Sequence, residues 1–130
     1  MSQKGIEAIL TRQLASYLAI PIFIVDLEGT LIYFNEPAEM ILGLRFEETG
    51  EMSVDQLSEV FQTRDEHGGI IPSDDLPLVI ALKESRPVQS SFWMQGLDKV
   101  SRHLEVTAFP LIGQSGRKLG AVAMFWETQR

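Results

Sequence analysis

The chain has 130 residues, a net charge of −7, 45% hydrophobic residues and no cysteine. This is the length of one domain, and a core of that size is stable without disulfides or metals. The absence of cysteine excludes disulfides, thiolate nucleophiles and cysteine-bound metal sites. The negative charge argues against nucleic-acid binding, because phosphates would be repelled.

The N-terminal segment resembles neither a secretion signal nor a membrane anchor. No apolar run in the chain approaches the roughly 20 residues that a membrane-spanning helix needs. The sequence therefore predicts a cytoplasmic protein without membrane contact.

Residues 5–18 predict an amphipathic helix, because apolar side chains recur at spacings of three and four. These side chains belong to Ile6, Ile9, Leu10, Leu14, Tyr17 and Leu18. Pro21 would end the helix because it lacks a backbone N–H. We therefore expect a flanking helix over residues 1–18 and a folded domain over residues 19–130.

A β-hairpin is predicted next, with strands at Ile22–Asp26 and Thr30–Asn35 around a Glu-Gly turn. Asn35 fits the N-cap of the following helix, since its side-chain oxygen can accept bonds from exposed backbone N–H groups. Pro37 suits the first turn of that helix, and Gly43 suits its end.

The middle of the chain predicts short helices. Ser53 can cap one of them, and His67, Gly68 and Gly69 form a loop. The acidic stretch at residues 72–75 predicts the start of a longer helix, because carboxylates favour the positive end of the helix dipole. That helix would run to Ser85.

The last third predicts three strands, Val88–Gln95, Arg102–Leu111 and Lys118–Glu127, rich in β-branched and aromatic residues. Two leading and three trailing strands make a five-stranded antiparallel sheet if the two groups pair. The helices lie between these groups in the sequence and must cover one face, which predicts an α+β fold.

Three stretches together resemble the PAS domain family. They are FIVDLEGTLIYFNEPAEMILG, DEHGGIIPSDDLPLVIALKESRPV and HLEVTAFPLIGQSGRKLGAVAMFWE, and the resemblance covers roughly residues 15–128. It implies the PAS fold, a five-stranded antiparallel sheet with helices on one face and an N-terminal flanking helix. It also implies a bacterial sensory or interaction module. Many family members hold a small molecule between helices and sheet, and many dimerise through the other sheet face.

The predicted ligand-binding wall is apolar and rich in methionine, which can repack around variable shapes. Strand alternation and the family pattern place these residues on the inner side: Phe23, Val25, Met40, Leu78, Leu82, Phe92, Met94, Leu104, Val106, Val122 and Met124. A cavity there would suit a small apolar or aromatic ligand. The same residues could instead fill the core completely.

The opposite sheet face is predicted to carry aromatic side chains that are costly to expose. Their cover is either the chain's own N-terminal helix or a second copy of the chain, and we favour the homodimer. The predicted dimer interface consists of Ile6, Leu10, Leu14, Tyr17, Trp93, Phe109 and Phe125.

The known cofactor classes of the family fit this sequence poorly. Flavin and hydroxycinnamoyl photoreceptors of the family require a reactive cysteine, and haem sensors usually require a histidine on the long helix. His67 lies in the glycine loop and His103 on the predicted outer side of a strand, so both are expected at the surface. We therefore expect neither haem nor flavin, no metal site, and at most a non-covalent small ligand.

Catalytic residues are not predicted. Asp74 and Asp75 are explained by the start of a helix, and Ser90 and Ser91 have no histidine partner in the pattern. One alternative is a small enzyme of similar cone shape, for which Tyr33 would be the candidate polar group. Another is a dimerisation module with a filled core.

The C-terminal residues affect whether the downstream partner is expected to be a fused effector or a separate protein. Glu127, Thr128 and Gln129 occupy the place where larger family members continue into a fused effector, but here the sequence stops at Arg130. We expect a sensor that acts through a separate signalling protein, with a fragment of a larger signalling protein as the alternative.

Overall fold

The computed structural model describes residues 20–43, 45–97 and 99–128. The predicted N-terminal helix, with Ile6, Leu10, Leu14 and Tyr17, lies outside these residues. Among the described residues, no helix is long and apolar enough to cross a membrane.

In the part of the chain that the structure describes, seven strands form one antiparallel sheet in the order β3-β2-β1-β7-β6-β5-β4. The strands are β1 (Ile22–Asp26), β2 (Thr30–Phe34), β3 (Met52–Ser53), β4 (Gln62–Arg64), β5 (Val88–Gln95), β6 (Ser101–Ile112) and β7 (Lys118–Glu127). The described α-helices that lie between them in the chain are α1 (Glu36–Leu42), α2 (Phe46–Thr49), α3 (Val54–Val60) and α4 (Pro77–Glu84).

All five predicted strands are present, and β1 pairs with β7, so the leading hairpin joins the trailing strands in one sheet. The prediction of five strands was nevertheless incomplete. The short strands β3 and β4 extend the sheet at its two edges, pairing with β2 and β5. Segments of two and three residues are too short to show the alternation that identifies a strand.

Side-chain hydrogen bonds define the β1–β2 turn. The backbone N–H groups of Glu28 and Thr30 donate to Asp26 Oδ1 over 3.0 and 2.9 Å. Gly29 adopts φ 80°, a left-handed conformation that suits glycine. This arrangement explains the short connection between the two strands.

The long helix begins later than the sequence predicts. Ser73–Asp75 form a separate 3-10 turn, Leu76 is extended at φ −69° and ψ 140°, and α4 starts at Pro77. The cause is Pro77, whose ring disfavours the helical conformation in the residue before it.

The described helices pack on one face of the sheet, as predicted, and enclose the main core there. Ala38 and Leu42 of α1, Leu57 of α3 and Leu78 of α4 belong to it. On β5 and β6 the predicted inner residues are correct. The following residues of these two strands are buried in this core: Phe92, Met94, Leu104, Val106 and Ala108.

The predicted orientation of β7 was wrong. Val122 and Met124 lie on the outer face, while Ala123 and Phe125 face the helices. The β6–β7 register pairs Ala108 with Ala123 and Val106 with Phe125, and directly paired residues share a face. Phe125 therefore belongs to the core and is not part of an outer dimer surface.

A second apolar cluster lies on the outer face of the sheet. Ile22, Ile24 and Val122 are buried in it. Its half-buried members are Ile32, Tyr33, Phe109, Leu111 and Met124. The central strands are thus apolar on both sides.

Candidate ligand cavity

A cavity of about 50 Å³ lies between the inner sheet face and the helical layer. The lining residues come from strands on both halves of the sheet, from α3 and from the start of α4. They are Phe23, Leu57, Phe61, Thr63, Leu76, Pro77, Leu78, Phe92, Met94, Leu104, Val106, Ala123 and Phe125. The surface that this wall presents is entirely apolar, and none of its side chains is ionisable.

Aromatic packing joins the two halves of the sheet beside the cavity. The ring centroids of Phe23 on β1 and Phe125 on β7 are 4.8 Å apart, and Phe23 also meets Phe34 edge-on at 5.8 Å. Such pairs add stability beyond the area that they bury. The wall therefore depends on the β1–β7 pairing.

Six of the eleven residues predicted to bind a ligand lie in the cavity wall: Phe23, Leu78, Phe92, Met94, Leu104 and Val106. Val25 is buried in the same core but is not part of the wall. Val122 and Met124 are on the other side of the sheet. Ligand binding by the six stays a prediction.

Met40 was placed wrongly on the inner side, and Leu82 packs against the main core without lining the cavity. Met40 is 75% exposed, because α1 turns Ala38 and Leu42, four residues apart, towards the core. Leu82 is half-buried and packs against the main core, and it also lines a surface groove beside the β1–β2 turn together with Leu27 and Lys83.

Seven wall residues were missed by the sequence analysis: Leu57, Phe61, Thr63, Leu76, Pro77, Ala123 and Phe125. Leu57 and Phe61 could have been predicted from the sequence, because residues four apart lie on the same face of a helix, here at the end of α3. Ala123 and Phe125 follow once the orientation of β7 is corrected. Thr63 lies on a strand that the sequence did not reveal.

Thr63 is the polar side chain of the wall. The residue is 6% exposed, and its hydroxyl has no hydrogen-bond partner among the described residues. Its backbone is paired, because β4 is joined to β5 and the Ile71 N–H donates to the Thr63 carbonyl over 3.1 Å. A buried hydroxyl without a partner is unfavourable for stability.

Solved structures of other proteins share this fold. The PAS domain of BvgS from Bordetella pertussis superposes with a TM-score of 0.66 at 14% identity, covering 95% of this chain and 87% of that chain. The PAS domain of nitrogen regulation protein NR(II) from Vibrio parahaemolyticus gives a TM-score of 0.64 at 20% identity, covering 92% and 98%.

The protein has the PAS fold. This confirms the resemblance drawn from the sequence at the level of the fold. No protein-family model matches the sequence, and a search of curated proteins finds no match.

A LOV protein from Rhodobacter sphaeroides also superposes on this chain, with a TM-score of 0.73 and 16% identity, covering 99% of this chain and 70% of that chain. Light-oxygen-voltage proteins are thus among the structures with this fold. The matches therefore do not support the expectation that flavin is excluded, which rests on the missing cysteine alone.

His103 is buried, which corrects its predicted surface position. It is 8% exposed, and its Nε2 lies 2.6 and 3.0 Å from the carboxylate oxygens of Glu66. Its Nδ1 lies 2.6 Å from Thr128 Oγ1, and its ring is 5.0 Å from that of Trp93. His103 therefore connects the loop after β4 to the residue that follows β7. His67 is exposed, as expected.

The loop carrying Glu66 is ordered by its neighbour Asp65. Asp65 Oδ1 accepts from the backbone N–H groups of His67 and Gly69, each over 2.9 Å. These bonds favour the ionised carboxylate and lower the pKa of Asp65 below its usual value. The bond from the Gly69 N–H has the largest effect, followed by the bond from the His67 N–H.

The outer face of the sheet retains exposed aromatic surface. Trp93 and Trp126 are 39% and 40% exposed, and Trp126 Nε1–H donates to Glu105 over 3.1 Å. Phe109 lies on this face, as predicted.

Proposed function

We propose that this PAS domain is a non-enzymatic sensor that binds a small apolar molecule in the cavity and relays its presence to the residue that follows β7. The observation that supports binding best is the cavity itself, which is lined by apolar side chains from helices and sheet. Packed protein cores rarely leave space larger than a water molecule, so this space supports ligand binding over the alternative of a filled core.

The size of the cavity limits the occupant. A volume of about 50 Å³ compares with roughly 300–1,000 Å³ for a typical ligand pocket. The ligand is therefore small, or Met94 and its neighbours move apart to admit a larger one. A flavin exceeds the described space, so the proposal does not depend on that cofactor.

A non-enzymatic role agrees with the composition of the wall. No described residue that lines the cavity carries a carboxylate, imidazole, amine or phenol, and general acid–base catalysis needs such a group near the reacting atom. Tyr33, the candidate for the alternative enzyme, contacts Phe46 and is not part of the wall.

The relay would run through the short strand β4. Thr63 lies in the cavity wall, and Glu66, three residues later, is bonded to His103. His103 in turn contacts Thr128, whose backbone N–H donates to the His103 carbonyl over 2.9 Å. A ligand that displaces β4 would thus change the contacts of the residue after β7, as a shift between two populated arrangements.

Dissolved xenon provides the test, because it enters dry apolar cavities. In a two-dimensional NMR spectrum of the full chain, we expect xenon to shift signals of Leu78, Met94 and Val106, and also those of Thr128. Ala123→Val should reduce both sets of shifts at least fivefold by filling the cavity. Val122→Ile, on the opposite face of β7, should leave them unchanged.

His103→Gln separates binding from relay. The shifts of the wall residues should persist in this variant, while the shift of Thr128 should fall at least threefold. Wild-type protein whose wall signals do not respond to xenon would refute ligand sensing and favour the filled-core dimerisation module. An undiminished Thr128 response in His103→Gln would refute the relay route.

We also propose that the outer face forms a homodimer interface. Trp93 and Trp126 leave aromatic surface exposed on the same sheet face as the apolar outer cluster, and burying such surface contributes about 25 cal/mol per Å². A second copy of the chain would cover this surface with its own outer face, related by a two-fold axis.

Analytical ultracentrifugation over a range of concentrations tests the dimer. Trp93→Gln should raise the dimer dissociation constant at least tenfold, because tryptophan is often a major contributor to interface affinity. Met40→Gln is the matched control, since Met40 is 75% exposed on the helical side and its loss should have no effect. A monomeric wild-type chain at every concentration contradicts the proposal.

A further inference from the structure

The buried hydroxyl of Thr63 bears on which ligands the cavity accepts. It belongs to a residue of the cavity wall, it has no hydrogen-bond partner among the described residues, and the residue is 6% exposed. Buried polar groups are normally paired, and an unpaired one calls for a physical explanation.

A trapped water does not provide that explanation. The volume of about 50 Å³ would admit water, since one water needs roughly 10–15 Å³. However, an ordered buried water makes two to four hydrogen bonds, and the wall presents an entirely apolar surface, to which the Thr63 hydroxyl contributes only if its side chain rotates. A water there could bond to Thr63 and to little else, so the cavity favours an occupant with an apolar body.

The geometry of threonine makes its hydroxyl adaptable. A step of about 120° in χ1 moves the hydroxyl to another staggered position while the backbone of β4 stays paired with β5. The hydroxyl can then turn towards an occupant, and it can act as either donor or acceptor.

We propose that the cavity selects an uncharged molecule with a short apolar body and a single hydroxyl or carbonyl group, which Thr63 recognises by a hydrogen bond. This inference rests on the proposed ligand-sensing function and adds its specificity. Charged molecules are excluded because no charged side chain in the wall would offset their desolvation. The cavity volume corresponds to about four groups of the size of a water molecule.

A matched pair of probes tests the inference. Propan-1-ol and 1-chloropropane have the same apolar body, but only the alcohol has a hydroxyl group. Dissociation constants are measured from NMR shifts of Leu78, Met94 and Val106 in wild type and in Thr63→Val. We expect the substitution to weaken propan-1-ol binding about three- to tenfold, the usual value of one neutral hydrogen bond, and to leave 1-chloropropane binding unchanged or stronger.

In the absence of a ligand, Thr63→Val should stabilise the protein, although it weakens binding of the alcohol. Thr63→Val replaces an unpaired buried hydroxyl with a methyl group of similar size, so its melting temperature should rise by about 3–6 °C. Thr107→Val is the matched control, because Thr107 lies on β6 at the outer face. That variant should leave the affinities of both probes unchanged.

The outcomes separate the two proposals. If neither probe shifts the wall signals of the wild type, the ligand site itself is refuted and the inference falls with it. If both probes bind but Thr63→Val changes their affinities equally or not at all, the cavity stands and the role of Thr63 is refuted.

Discussion

Replacing Asn35 with alanine is expected to lower the free energy of unfolding by about 3 kcal/mol. Asn35 is 1% exposed, and its Oδ1 accepts from the N–H groups of Ala38 at 3.3 Å and Ile22 at 3.0 Å. Its Nδ2 donates to the Ile20 carbonyl over 2.9 Å. The side chain therefore caps α1 and also fastens the start of β1.

Three losses add up to this value. Removing an N-cap side chain costs about 1 kcal/mol. The Ile22 N–H would be left buried without its partner, which costs about 1–3 kcal/mol, and the Ile20 carbonyl loses a partly buried bond. A decrease of this size is a large fraction of the stability of a typical domain, about 5–15 kcal/mol.

Urea unfolding followed by circular dichroism measures the effect, with Ser53→Ala as the matched control. Ser53 also caps a helix, since its hydroxyl accepts from the Gln56 N–H over 3.1 Å, but it does so in an exposed position. That substitution should cost about 1 kcal/mol. If Asn35→Ala costs no more than Ser53→Ala, Asn35 acts as a cap and not as a link between elements.

The role of Asn35 as a cap was predictable because its signals are local. An asparagine between an apolar strand and a helix with proline in its first turn indicates an N-cap from sequence alone. The bonds to Ile20 and Ile22 could not be predicted in this way. They connect positions up to 15 residues apart and depend on how the hairpin folds back.

The orientation of β7 shows where alternation fails. A strand with one polar face reveals its inner side, as β5 does, where Trp93 is exposed between the buried Phe92 and Met94. In β7, five consecutive residues from Leu119 to Ala123 are buried. Both faces are covered there, so the pattern contains no polar positions from which to assign the inner side.

The sequence predicts the apolar composition of the cavity wall, but it does not predict that a cavity exists. An apolar wall follows from the strands, and six of its residues were identified. Whether side chains leave a void depends on differences of about one methylene group in packing, which no sequence pattern records. The missed residues Leu57, Phe61 and Thr63 come from the segment between the hairpin and the long helix, where elements are short.

The two strand groups of the sheet meet where β1 pairs with β7. β1 and β7 carry Phe23 and Phe125, whose rings lie 4.8 Å apart, and Asn35 ties the start of β1 to α1. Anything that separates β1 from β7 therefore opens the cavity and the outer cluster together, because both clusters include residues of these strands.

Gly120→Ala is expected to have that effect, with a loss of about 4 kcal/mol or more in the free energy of unfolding. A Cβ atom at position 120 would lie 2.0 Å from the Val25 carbonyl oxygen and 3.0 Å from its carbon. Gly120 faces Asp26 across the β1–β7 pair and adopts φ 154°. The obstacle is backbone, so β1 must move away from β7 instead of a side chain changing its rotamer.

Gly116→Ala is the matched control for this substitution. Gly116 also has a positive φ of 73°, but a Cβ there meets nothing within 4 Å. Its cost is backbone strain alone, about 1–2 kcal/mol. If Gly120→Ala folds and its urea midpoint equals that of Gly116→Ala, the close approach of β1 and β7 is not what requires glycine. If Gly120→Ala is unfolded by circular dichroism while Gly116→Ala retains a cooperative transition, the contact between the two strand groups is essential for the sheet and the cavity that it encloses.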